Sequence, residues 1–305
     1  MPPRKDNTMK KCAVIDIGSN TIRLCAYTYE GENIQTLISK KTTAGLASYV
    51  EEGNLTQAGI HAACAALGSC AELLDHLNIS NCHAFATASL RNINNTGEVT
   101  EQIEKETGFK VEVISGEEEG RLSLRGAAES VNISSGLLAD IGGGSTEIVP
   151  FENKKALSVS SIKAGSLTLY KKFVEDFLPD RKECEKIAGY YDSLLSEISF
   201  EKADVICGVG GTFRAVSKLM DSAFKRDEET NAFTYKELCA LYKIIRKNDR
   251  PARDLLLKVC PDRLHTVTPG MIAVKVIMEK SSCTEVKVSK TGVREGYMFA
   301  KILKM

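Results

Sequence analysis

The chain has 305 residues, with 40 basic and 40 acidic side chains, a formal net charge of zero, 43% hydrophobic and 26% charged residues. That composition belongs to an ordinary globular protein and excludes a disordered one, and the length sets an expectation of about two domains at roughly 100–200 residues each. Balanced charge excludes a global field toward nucleic acid or acidic lipid, so a polyanionic ligand would have to be met by local cations.

Taken in chain order, residues 11–17 (KCAVIDI), 22–29 and 33–39 read as strands of an antiparallel meander. Thr56 is a helix cap for a segment through Asn78, in which Ile60, Ala63, Cys64, Leu67, Leu74 and Leu77 recur near helical spacing. A strand is expected over 82–88, a helix over 97–107, a strand over 110–114 and a helix with an acidic start over 117–129. The pattern then begins again, with strands at 136–140, 146–151 and 157–162 and helices at 166–177 and 180–197. A strand at 203–207, helices at 213–220, 234–246 and 268–280, a strand at 285–289 and a closing helix from Gly292 complete it, with 222–233 as a flexible loop. The likeness of VIDIGSNTIRL (14–24) to LADIGGGSTEIV (138–149) is an internal repeat, and two similar α/β halves would leave a ligand cleft.

The ten cysteines lie in apolar segments without a C-x-x-C pair and are expected to be reduced thiols. The four histidines, His61, His76, His83 and His265, lack paired metal spacing. No run approaches the ~18–20 apolar residues of a membrane span and no leader core follows the basic start, so the expectation is a cytoplasmic chain without a membrane partner.

Chemistry is concentrated in turns. Glycine lets backbone N–H groups converge on an anion, and hydroxyls add donors. Gly18, Ser19, Asn20 and Thr21 form one such turn, Gly142, Gly143, Gly144, Ser145 and Thr146 a second, each behind a strand-end Asp. A hairpin alone would explain either turn; their repetition favours phosphate. Asp16, Asp140 and Glu147 are candidate ligands for Mg²⁺ or Mn²⁺, hard cations that take oxygen donors and phosphate partners. Gly210, Gly211 and Thr212 offer a third turn at a helix N-terminus, where strand–helix packing is an equal alternative. Arg91 leaves a strand where a guanidinium could fork onto phosphate, an even balance against an ordinary surface arginine. Of Glu117, Glu118 and Glu119, the helix dipole explains at least two, and one is free to act as general base for water.

In order, DIGSNTIRL, ATASLRNINN, VISGEEEGR, DIGGGSTEIV, GVGGTFRAV and GVREGYM resemble the exopolyphosphatase/guanosine pentaphosphate phosphohydrolase (Ppx/GppA) family over residues 12–300. The resemblance implies an α/β fold of two ribonuclease H-like domains in the actin, sugar kinase and heat-shock chaperone superfamily. It expects residues 1–127 plus 293–305 as the first domain and 128–292 as the second. It implies Glu119 as the base, with Asp140 and Glu147 as its acidic partners. Asn20, Thr21, Arg91, Gly143, Gly144 and Ser145 fall at phosphate-contacting positions. The implied activity is release of terminal phosphate from inorganic polyphosphate or guanosine pentaphosphate, with no nucleic-acid partner and a homodimer left open. Two departures bear on substrate grip: Thr42–Ser48 lacks the family's arginine, and Thr168 stands where another is expected. An ATP-dependent kinase of the same superfamily and a non-catalytic guanosine tetra- or pentaphosphate sensor are the alternatives.

Overall fold

The structure, a computed structural model, describes residues 9–31, 33–128, 130–199, 202–226 and 230–304. The basic start before Met9 and the centre of the expected loop, residues 227–229, lie outside the described residues. Two compact units divide the chain, Met1–Ile114 and Ser115–Met305.

The first unit opens with β1 (Lys10–Ile17), β2 (Thr21–Glu30) and β3 (Asn33–Thr43), the expected antiparallel meander. A short hairpin of β4 (Val50–Glu51) and β5 (Asn54–Leu55) leads into α1 (Gln57–His76). The Thr56 hydroxyl caps α1 by accepting from the Gly59 N–H, and Ile60, Ala63, Leu67 and Leu74 form the helix's buried face. β6 (Cys82–Ala86), α2 (Ala88–Arg91), α3 (Thr96–Thr107) and β7 (Val111–Val113) complete the unit, giving the sheet order β3-β2-β1-β6-β7 with β6 and β7 parallel to β1. The strand expected over 82–88 ends at Ala86 because the chain turns into α2, whose Ser89 hydroxyl donates to the Ile17 carbonyl at the end of β1.

The second unit begins with α4 (Gly116–Ala127) and repeats the arrangement with β8 (Gly136–Ile141) and β9 (Thr146–Glu152). The strand expected over 157–162 is found only as β11 (Ser160–Ile162), preceded by a separate piece, β10 (Lys155–Ala156), and both pair with β9. Next come α5 (Ser166–Phe173), α6 (Arg181–Ser196), β12 (Val205–Val209), α7 (Gly210–Ala223), β13 (Ala232–Thr234) and α8 (Tyr235–Ile245). α9 (Arg250–Val259), α10 (Leu264–Lys280), β14 (Glu285–Val288) and α11 (Val293–Tyr297) follow, the last continuing as a π-helical turn over Met298–Ile302. The sheet order is β10-β9-β8-β12-β14-β13, so β8, β9, β12 and β14 repeat the roles of β1, β2, β6 and β7.

α10 starts four residues earlier than the spacing implies and carries Pro269 inside it. Its apolar face, including Leu264, Val267 and Met271, is buried, and that burial outweighs the one backbone bond the proline forgoes. β13 and α9 were not expected from the sequence, although Asp249 accepting from the Ala252 N–H and Pro251 in the first turn are ordinary start signals.

The compact units divide at Ser115. α4 and α11 pack on each other, and both belong to the unit that starts there. The reason lies in the alternation along the sheet. Leu137, Ala139 and Ile141 enter the core formed with α6, α7 and α10, whereas Leu138, with Val149, Phe151, Cys207 and Val209, packs with Leu124 and Ala127 of α4 on the opposite face. α4 is therefore the helical cover of that second face.

Candidate active site

In the first unit, the turn at Gly18–Thr21 closes with the Gly18 N–H donating to the Thr21 carbonyl. The carbonyls of Ser19 and Asn20 accept from the N–H groups of Ala47 and of Ala44 and Gly45, so the segment after β3 wraps the outside of the turn. Asp16 is half-buried and stands directly across β1 and β2 from Arg23. Arg91 sits at the end of α2, with one guanidinium nitrogen donating to the Ile114 carbonyl at 3.1 Å.

The second unit reproduces the same turn. The Gly142 N–H donates to the Ser145 carbonyl, as Gly18 does to Thr21. Its carbonyl side is occupied by α5: Ser166 N–H donates to Gly142 O, and the Leu167 and Thr168 N–H groups donate to Gly143 O. The Thr168 hydroxyl, at the position where an arginine was expected, also reaches Gly143 O at 3.3 Å. An anion would meet the turn from its N–H side.

Period-two alternation decides where the acids stand. Asp140 lies two residues beyond Leu138 and Glu147 two before Val149, so both carboxylates point to the face that α4 covers. They are cross-strand partners, a relation that brings Cβ atoms to about 4.5–5.5 Å. Along that face the sheet changes from apolar to acidic, and α4 changes with it. Its later residues Leu124 and Ala127 cover the apolar end, while its first turns bring Glu119 and Ser123 to the acidic end. Gly120 makes the approach possible, because a Cβ there would strike Val159 and Val149 and lie 3.7 Å from the Cβ of Glu147.

Structure also separates the three glutamates. Ser115 caps α4 by accepting from the Glu118 N–H at 3.0 Å. Glu117 is exposed and pairs with Arg121 at 2.9 Å, and Glu118 pairs with Lys301 at 2.6 Å. Glu119 turns inward and is 7% exposed. Two of the three thus have surface partners and the third faces the carboxylates of the sheet.

The electrostatics follow from burial. Glu147 is fully buried, and desolvation, followed by the charges of Glu119 and Asp140, holds its carboxyl well above the usual carboxylate range. Hydrogen bonds from Ser161, at 2.8 Å, and from Ser145 oppose that rise. Asp140 is likewise raised by burial, against a 2.7 Å hydrogen bond from Ser123 and the positive charges of Arg214 on α7 and Arg294 on α11.

The third glycine turn joins this group. Gly210 has φ of +91°, and a Cβ there would press on Asp140 Oδ1, so glycine lets the N-terminus of α7 abut the acid. The Thr212 hydroxyl donates to the Ile141 carbonyl at 3.0 Å, tying the helix to the Gly142 turn rather than facing outward. Against Gly211 lies the guanidinium of Arg263, a cation at the first turn of α7.

Among the described residues, no group of three or more His, Cys, Asp or Glu is placed to hold a metal ion. The second unit instead offers the opposed pair Asp140 and Glu147, and Asp16 stands in the first unit. A pair fits a hard divalent cation, since Mg²⁺ typically takes one or two carboxylates and completes its shell with water and phosphate oxygens. The four histidines join no metal cluster among the described residues, and all ten cysteines are free. Burial lifts thiols such as Cys12, to about 11, and Cys207, to about 12, so the reactive thiolate is disfavoured. Among the described residues no helix is long and apolar enough to cross a membrane.

The model of the Ppx/GppA phosphatase family matches residues 26–305. The chain belongs to that family. Exopolyphosphatase 1 of Mycobacterium leprae is 25% identical over 303 residues, 96% of this chain and 89% of that protein. Guanosine-5'-triphosphate,3'-diphosphate pyrophosphatase of Pseudoalteromonas translucida is 28% identical over 299 residues, 95% of this chain and 59% of the other. The crystal structure of the Aquifex aeolicus member of the Ppx/GppA family matches with a TM-score of 0.81 at 25% identity, covering 97% of this chain and 98% of that one.

For this Ppx/GppA chain, sequence reasoning missed Ser123, Ser161, Arg214 and Arg294, which bond to the acids or act on their charge, and Arg263 at the start of α7. Ser123 was legible in principle, four residues after Glu119 and hence on the same helical face. The arginines come from distant segments and had no local signal.

Proposed function

We propose that this Ppx/GppA member is a phosphoanhydride hydrolase that releases terminal orthophosphate from inorganic polyphosphate or guanosine pentaphosphate. The observation that carries the reading is the buried carboxylate group Glu119, Asp140 and Glu147, set beside the Gly142–Ser145 turn and the N-terminus of α7. A buried group of carboxylates suits water activation and metal binding, and the adjoining N–H groups suit a phosphoryl group.

In this mechanism the N–H groups of Gly143 and Gly144 and the first turn of α7, with Arg263, bind the terminal phosphoryl oxygens. Gly18, Ser19, Asn20, Thr21 and Arg91 are proposed phosphate contacts from the first unit. Glu119 orients a water molecule and takes its proton as the oxygen attacks the terminal phosphorus. The bond from that phosphorus to the bridging oxygen breaks, and the shortened chain leaves with the electron pair. Asp140 and Glu147 would hold Mg²⁺ or Mn²⁺, which when bound supplies charge neutralisation for the phosphoryl oxygens. Ser123, Ser145 and Ser161 keep those two carboxylates aimed.

A phosphate-release assay with polyphosphate, guanosine pentaphosphate and ATP, each with Mg²⁺ and no acceptor, tests the reading. Release from either of the first two supports it. Phosphate transfer from ATP that needs an added acceptor would favour the kinase alternative, and tight nucleotide binding without release would favour the sensor.

A further inference from the structure

Apart from Arg294, the motif GVREGYM has no role in the reaction above, yet its helix grips α4 from the first turn of α4 to beyond its last. Glu118, Leu122 and Gly126, four residues apart, form one stripe of α4, and that stripe faces the closing helix. Lys301 Nζ lies 2.6 Å from Glu118 Oε1. Gly296 sits against the Leu122 carbonyl so closely that a Cβ would overlap the backbone. Gly126 meets the Gly292 carbonyl and the Gly296 nitrogen in the same way. At the far end, the Thr291 hydroxyl donates to the Gly126 carbonyl at 2.7 Å and bonds to the Ser130 hydroxyl at 2.8 Å. Arg125 lies over the Phe299 ring, 5.2 Å from its centroid.

The next stripe of α4, Glu119 and Ser123, is turned toward Asp140 and Glu147. Neighbouring residues on an α-helix differ by about 100° in direction, so a small rotation of α4 would carry Glu119 away from the sheet. Contact with the sheet through Gly120 fixes how near α4 stands. Rotation and axial height are fixed by the backbone contacts at Gly126 and Gly296 and by the ion pair at the open end.

We propose that Lys301 and Gly296 are positioning residues for the hydrolysis, holding α4 in the rotation that presents Glu119 to the attacking water. This rests on the reading of Glu119 as the base. The side chains of Lys301 and Glu118 are 38% and 33% exposed, so an ion pair here adds little to stability and its contribution is to geometry.

The test is steady-state phosphate release from the substrate that the full chain cleaves. Lys301→Ala is expected to lower kcat about tenfold or more, the scale of a small misplacement of a catalytic group, with KM nearly unchanged. Lys301→Arg restores kcat. In a Glu119→Gln background, Lys301→Ala causes no further loss, because the group it positions is already gone. Gly296→Ala gives the same split between kcat and KM, and larger; should it fail to fold by circular dichroism, the exposed Lys301 variants decide alone. An unchanged kcat in Lys301→Ala, a rise in KM without a fall in kcat, or an equal fall in the Glu119→Gln background overturns the proposal. Full turnover in Glu119→Gln alone would instead remove the reading of the base.

Discussion

Glu119→Gln isolates the chemistry from the packing. The side chain is 7% exposed and Gln has nearly its shape, so contacts with β9 are retained while the negative charge is lost. General-base catalysis contributes about 10²–10⁴-fold, or about 3–5 kcal/mol of transition-state stabilisation. Phosphate release should fall by that factor with substrate binding retained, since the phosphate-facing turns are untouched. Folding should respond in the opposite direction. Glu119 is the largest charge raising the Glu147 carboxyl after burial itself, and each unit of that rise corresponds to about 1.4 kcal/mol. Removing the repulsion is therefore expected to raise the Tm, where a stabilisation of about 1 kcal/mol would correspond to some 2–4 °C for a unit of this size. Malachite-green phosphate release, equilibrium binding and a thermal melt on the same preparation read all three quantities. Undiminished turnover refutes the assignment of the base, and a lost activity accompanied by a Tm several degrees lower refutes the claim that the exchange spares the fold.

Two further expectations concern the surroundings of the base. Arg263 lies against Gly211 at the start of α7, and a charge-assisted hydrogen bond is worth about 1.5–3 kcal/mol, so Arg263→Ala should raise KM about 10- to 100-fold while kcat changes less; an unchanged KM would remove phosphate from that helix terminus. The buried Glu147 carboxyl is raised in the folded protein, so between its ordinary value and its raised one the folded state binds the extra proton. Its contribution to stability is full below the ordinary carboxylate pKa and is lost as pH rises through the raised value. In chelator, the Tm of the wild type relative to Glu147→Gln should therefore decline as pH increases above about 4.3, and Mg²⁺ should recover most at the alkaline end; a difference that grows with pH contradicts the sign.

Most of this site was visible in the sequence because its parts are local. A strand that ends in Asp-Ile-Gly followed by a returning strand fixes, through alternation alone, that Asp140 and Glu147 share a face. The acidic opening of α4 was visible too, but choosing among Glu117, Glu118 and Glu119 without the resemblance needs to know which two find cations. One of those cations, Lys301, lies far along the chain. The same distance hides Arg214, Arg263 and Arg294, whose roles exist only because α7, α10 and α11 return to one end of the sheet. Element boundaries failed where burial overrode a local signal, as at Pro269 inside α10. β13 and α9 escaped notice because they are short, and local preference is then a weak guide.

The repeat itself explains why the acids gather in one unit. Aligned through their hydrogen-bonded turns, Gly18–Thr21 and Gly142–Ser145, the hairpins match Asp16 with Asp140 and Ile17 with Ile141. They differ at the next position on the same face, where Asp16 stands across from Arg23 and Asp140 across from Glu147. Asp16 thus has a basic residue as its cross-strand neighbour. Two carboxylates opposite one another, with a third arriving on α4, repel in a buried setting, and serine hydroxyls, Arg214 and Arg294 oppose that repulsion. Such a group either takes up a proton or recruits a cation near neutral pH. The duplicated hairpin thus sets an acid across from a base in one unit and an acid across from an acid in the other, and the proposed hydrolysis gives that second copy a use for a metal ion and a water molecule.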